Sequence, residues 1–238
     1  LGLETDPGRG ASAGRESIFE NFTGSTGELV RYREEEFTFI ADSLGINGGL
    51  NWTPANGHIA NLNAEYNLWE PDERETSSEF LPDGTLLRET AFLFKENEWN
   101  SEISGDYELG LGPGRLKFIG LQRNEYSPTR SQFFGADIDG GNLVNEIFAR
   151  EIDESESILR GEYNLSGANN SDWQFSIEGA LNTLDSEAQR FSSDSFDTIV
   201  PLEARPDVRV EEKRAEAFVT HGRQLAPNVR LQVSLGAE

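Results

Sequence analysis

Forty-three Asp and Glu residues, two histidines (His58 and His221) and no cysteine make up the chain's stock of groups able to hold metal or move protons. Without Cys there is neither a disulfide framework nor a thiolate metal site. The two histidines stand far apart in sequence and carry no ligand spacing, so we expect solvated or interfacial side chains. Asp137-Ile138-Asp139-Gly140-Gly141-Asn142 is more specific, because it sets oxygen ligands at alternate positions around a glycine turn. That pattern suits calcium, although the full twelve-residue EF-hand loop is absent. Asp137, Asp139 and Asn142 are therefore the candidate metal ligands, and calcium is the only cofactor considered. Gly110-Leu111-Gly112-Pro113-Gly114 has the glycines of a phosphate cradle without its Lys-Ser/Thr, which makes it a hairpin turn. No Ser/His/Asp cluster sits in a nucleophile context, and carboxylates are too abundant for any pair to stand out. A non-enzyme is expected.

Whatever these groups do, something folded must position them. Aromatic residues reach 10%, with 15 Phe, 5 Tyr and 4 Trp, which argues against a disordered acidic chain despite a net charge of -23. That charge excludes nucleic acid as a partner, since phosphate binding needs a positive surface. No apolar stretch is long enough for a transmembrane helix.

The dominant signal is alternation of apolar and polar residues, the mark of half-buried strands. Leu44, Ile46, Leu50 and Trp52 alternate with glycines and asparagines. Ala60, Leu62, Ala64, Tyr66 and Leu68 oppose Asn61, Asn63, Glu65 and Asn67, and the pattern returns at Trp99–Leu109, Trp173–Leu181 and Val229–Leu235. Turn-forming clusters are centred at Ala55, Gly112, Asn169 and Ala226, 57 positions apart each time. Such regularity fits an up-and-down meander. Between them, polar stretches near 70–87, 127–145 and 184–207 read as long loops, all at one end. The acidic stretch from Glu70 to Gly84 reads as a solvated loop.

Short turns at one end and long loops at the other are the asymmetry of outer-membrane barrels. Trp52, Tyr107, Tyr163 and Trp173 lie near the short turns, where an interfacial aromatic girdle belongs. Ionised residues in mid-strand, such as Glu65, Glu102, Asp106, Arg160 and Glu178, need a wet interior. The fold expected is all-β: an antiparallel up-and-down transmembrane β-barrel, about eight strands of a larger one. Residues 1–28 form an irregular lead-in and 29–238 the barrel sector.

The hairpin texture of Ala60–Leu68, Gly105–Leu109, Gly161–Leu165 and Phe175–Leu181 resembles the barrel of TonB-dependent outer-membrane receptors. The resemblance covers about Leu29 to Glu238. It implies a 22-stranded barrel around a plug domain, the Gram-negative outer membrane as location, and energy-coupled uptake of a scarce nutrient such as a siderophore, cobalamin or glycan. It also implies lipid or lipopolysaccharide, the plug, TonB and a small nutrient as partners. Neither a plug nor an aromatic-ended closing strand is seen, so an internal segment or trimmed product is expected. The competing expectation is a secreted, acidic, calcium-supported adhesin or surface-layer module.

Overall fold

Alternating side chains force the chain into strands that must find backbone partners, and almost the whole chain does so in one sheet. The computed structural model describes residues 2–14, 22–23, 25, 27–168, 170–193, 200–201 and 207–238. The strands are β1 (Gly2–Gly14), β2 (Phe22–Thr23), β3 (Leu29–Trp52), β4 (Ile59–Phe80), β5 (Leu86–Glu96), β6 (Glu98–Leu111) and β7 (Gly114–Tyr126). They continue as β8 (Thr129–Asp137), β9 (Val144–Gly167), β10 (Ser171–Ser193), β11 (Val200–Pro201), β12 (Asp207–Ala226) and β13 (Val229–Ala237). Every pairing is antiparallel, and none of the described residues is helical.

Two positions in the sheet are each filled by a pair of segments. β4 pairs with β6 along its first half and β5 along its second, while β9 pairs with β8 along its first half and β7 along its second. The interruption falls at Asn97 and at Ser127-Pro128. Proline has no N–H to give a ladder, yet Asn97 N–H still donates to the Pro128 carbonyl (3.2 Å), and Ser127 and Ile152 exchange both backbone bonds (2.9 and 3.3 Å). Residues 86–111 and 114–137 thus run as two long, once-broken strands joined by the turn at Gly112-Pro113, where Gly112 takes a φ of 57°. That glycine meets the left-handed demand of a two-residue hairpin.

Several expectations need correction. Residues 2–14 are not irregular: β1 lies along β3 from Gly2↔Gly49 to Gly14↔Phe37. Backbone pairing requires no side-chain alternation, which is why a glycine-rich segment gave no signal. The stretch 70–87 is mostly strand. β4 runs to Phe80, and the connection shrinks to 81–85, closed by Leu81 N–H to the Thr85 carbonyl (2.8 Å) and by Gly84 at φ 86°. The stretch 127–145 likewise contains β8, leaving 138–143 as the turn. β10 extends through Ser193, and much of the rest of the third expected loop lies outside the described residues, as does the turn centre Asn169. Acid-rich strands with polar residues on both faces mimic loop composition. The expected asymmetry between short turns and long loops is therefore missing at the first two connections.

The described residues form a single layer without a packed interior. Ala41, Ile147 and Ala180 are the buried apolar residues among those described, whereas Leu159, Ile177 and Leu235 are 67%, 66% and 78% exposed. A sheet that leaves such side chains open needs a second surface against them.

Candidate functional surfaces

Register assigns each residue to a face, because directly opposed residues share one. One face of the sheet's turn-proximal half is apolar. It carries Leu44 to Trp52 in β3, Ala60 to Leu68 in β4, Trp99 to Leu109 in β6, Tyr163 and Leu165 in β9, Trp173 to Leu181 in β10, and Val219 and Ala215 in β12. The belt crosses the strands obliquely. Following one row from β3 to β12 reads Leu44, Leu68, Trp99, Tyr126, Asp153, Asp185, Arg209, passing from apolar to charged. In β12 the apolar run stops at Ala215, whose row leads back to Leu50. The upper margin therefore shifts six residues over six strand-to-strand steps.

The four aromatic residues singled out from sequence all lie on this face. Trp52 and Tyr107 share a row through Ala60, and Tyr163 and Trp173 sit successively nearer the turn end, along the slope of the belt. Tyr107 Oη meets His58 Nδ1 at 2.5 Å, Tyr163 Oη donates to the Leu111 carbonyl at 3.0 Å, and Trp173 stacks on Phe175 and lies 4.2 Å from the His221 ring. Rings anchored by a polar tip at one margin of an apolar surface suit a boundary between oil and water.

The opposite face of the same half is polar and ion-paired. Arg160 bridges Glu162 (2.7 Å) and Glu178 (3.8 Å), Arg214 bridges Glu178 (3.4 Å) and Glu216 (2.9 Å), and Lys117 and Arg230 meet Asp106 (3.3 Å) and Asp172 (2.7 Å). Further from the turns its charge becomes one-sided. A cavity of about 300 Å³ there is lined by Glu125, Glu154, Glu156 and Glu212, with Arg123 held on Glu125 at 2.9 Å.

Above the belt both faces become mixed. Asp42, Glu70, Asp72, Glu151, Asp153 and Asp185 continue the belt's own face beside Ile40, Leu93, Phe134 and Ile147, while Phe37, Phe39, Phe92, Phe94, Phe133 and Phe148 stand on the polar one beside Glu35, Glu73 and Glu75. Alternation is unbroken across this level, since parity is kept through Asn97 and Pro128. Sequence inspection passes over this because the windows look equally alternating; comparing the parity of Phe37 and Phe39 with that of Leu44 and Ile46 would reveal it.

Glu75 sits on that upper polar face between Phe37 and Phe92. Burial, the neighbouring Glu35 carboxyl and its hydrogen bond raise the Glu75 carboxyl above the ordinary value of 4.5, and Arg33 only partly offsets them. A raised acid binds its proton more tightly when folded. Its charged form therefore weakens the fold at neutral pH, and stability recovers as pH falls from above the folded pKa toward 4.5. Glu75→Gln is expected to raise stability at pH 7 and to flatten this part of the pH profile, as read by denaturant midpoints.

The calcium candidate closes on itself. Asp137 accepts from Arg88 (3.0 Å) and from the Asn142 side-chain amide (2.5 Å), and Asp139 accepts from Gly141 N–H (2.9 Å). Gly140 (φ 82°) and Asn142 (φ 47°) make the turn. Asn142 thus presents its NH₂ group to Asp137, and no set of three His, Asp or Glu converges on a metal position among the described residues. These contacts describe an ordinary hydrogen-bonded turn.

Fold and surfaces together define an all-β, single-layer antiparallel sheet with an apolar belt on one face of its turn-proximal half and an ion-paired polar face opposite it. No protein-family model matches the chain, and none of the curated proteins matches its sequence.

Proposed function

We propose that the chain is part of the wall of a transmembrane β-barrel of the outer-membrane kind, with acyl chains against the apolar belt and water against the polar face. The observation that carries this reading is the slope of the belt. One residue per strand, at about 3.4 Å along and about 4.8 Å across, corresponds to strands tilted about 35° from the normal of a flat apolar slab. The eight rises from Leu44 to Trp52 then span about 22 Å along that normal. Both values are close to the tilt and apolar height of membrane barrels. The entry of acidic residues onto the belt's own face above it supports the same reading. Where a wall leaves the bilayer, its outer face meets water and apolar side chains gain nothing there.

By its resemblance to TonB-dependent receptors, the wall serves energy-coupled uptake of a scarce nutrient in a Gram-negative outer membrane, beside lipopolysaccharide and around a plug. The test is reconstitution into vesicles with brominated acyl chains. Trp52, Trp99 and Trp173, on the belt face, should be quenched, and Trp69, on the other face, spared. A chain that stays monomeric and folded without detergent, and is stabilised by calcium, sinks the proposal in favour of the secreted adhesin.

A further inference from the structure

We propose that the upper polar face holds a slot for an organic cation, built from Phe37, Phe39, Phe92 and Phe94 around Glu73 and Glu75. Register alone assembles it. Phe37, Glu75 and Phe92 form one row across β3, β4 and β5, and Phe39, Glu73 and Phe94 form the next row on the same face. Two columns of phenyl rings therefore flank a column of carboxylates. Strand spacing sets the ring columns about 10 Å apart, leaving a guest between them about 5 Å from each. A cation is attracted to aromatic faces within about 6 Å.

The ring columns remain available, since none of the four rings stacks on another described ring. All four Phe side chains and both carboxylates are half-buried, so each combines desolvation with access. Charge selects the guest. No basic residue forms a salt bridge with Glu73 or Glu75 among the described residues, and the acidic cavity lies on the same face nearer the turns. A neutral guest gains only the apolar columns, an anion is repelled, and an alkylammonium gains both elements.

The slot depends on the β3–β4–β5 register and on an aqueous polar face, and stands whether or not the belt enters a bilayer. The experiment is equilibrium binding of choline to the chain in a maltoside detergent, compared with 3,3-dimethyl-1-butanol, its uncharged isostere. We expect saturable choline binding, and binding of the isostere weaker by about tenfold or more. Phe37→Leu with Phe92→Leu, which keeps apolar bulk and removes the π faces, should weaken choline at least about fivefold. Glu75→Gln should weaken it similarly, and Glu89→Gln, which removes the same charge from the opposite face of β5, should leave it unchanged. Equal binding of the isostere, indifference to the double Phe replacement, an equal loss in Glu89→Gln, or no saturable binding each overturns the proposal. Failure of the vesicle experiment would leave choline binding intact, so the two readings fail separately.

Discussion

If the belt faces lipid as proposed, Ile177→Arg is expected to weaken folding into phospholipid vesicles by about 2–4 kcal/mol, the cost of a guanidinium at the middle of a lipid-facing band. Ile177 is the centre of the β10 apolar run between Trp173 and Leu181, and it is 66% exposed. Its sequence neighbour Ser176 points to the other face, opposite Glu162 and Phe218. Ser176→Arg adds the same group one residue away and should change stability little, because its charge remains in water near Glu162. Urea titration of vesicle-folded protein measures both. Propensity cannot explain a difference between adjacent positions in one strand, so equal effects would remove the case for lipid on the belt.

Gly114→Val is expected to destabilise by about 1–3 kcal/mol through overpacking. A Cβ at this position would lie 2.5 Å from the Asn164 carbonyl oxygen and 2.7 Å from the Tyr163 ring. The ring can swing away only by giving up its hydrogen bond to the Leu111 carbonyl, and the carbonyl is part of the β7–β9 ladder. Tyr163→Ala on top of Gly114→Val should recover only part of the loss. Denaturant midpoints of the two variants and the double variant give the coupling directly. Full recovery would mean that the backbone contact is inconsequential.

Sequence alone carried the strands of the turn-proximal half, because Leu44–Trp52, Ala60–Leu68 and Trp173–Leu181 alternate against small or polar residues. Their common face, and the place of Trp52, Tyr107, Tyr163 and Trp173 on it, follow from parity alone. The upper half was illegible for a physical reason. Glu70 to Phe80 has charges on both faces, so composition resembles a solvated loop while backbone pairing to Tyr32–Asp42 and Leu86–Lys95 holds it as strand. β1 was hidden differently, since Gly2, Gly8, Gly10 and Gly14 offer little side-chain pattern. The Phe and Glu columns depend on which residues stand opposite across three strands, and no single-strand window contains that information.

Phe37 and Phe39 stand on the opposite face of β3 from Leu44 and Ile46, which makes odd and even changes in strand length unequal. A one-residue insertion in β3 at this level would turn Phe37 and Phe39 onto the belt's face while Leu44 and Ile46 kept their side. A two-residue insertion would preserve every side chain's face and shift only its height against β4. Length variation in these strands should therefore be tolerated in pairs, and a lineage that keeps both the belt and the phenyl columns is confined to even steps.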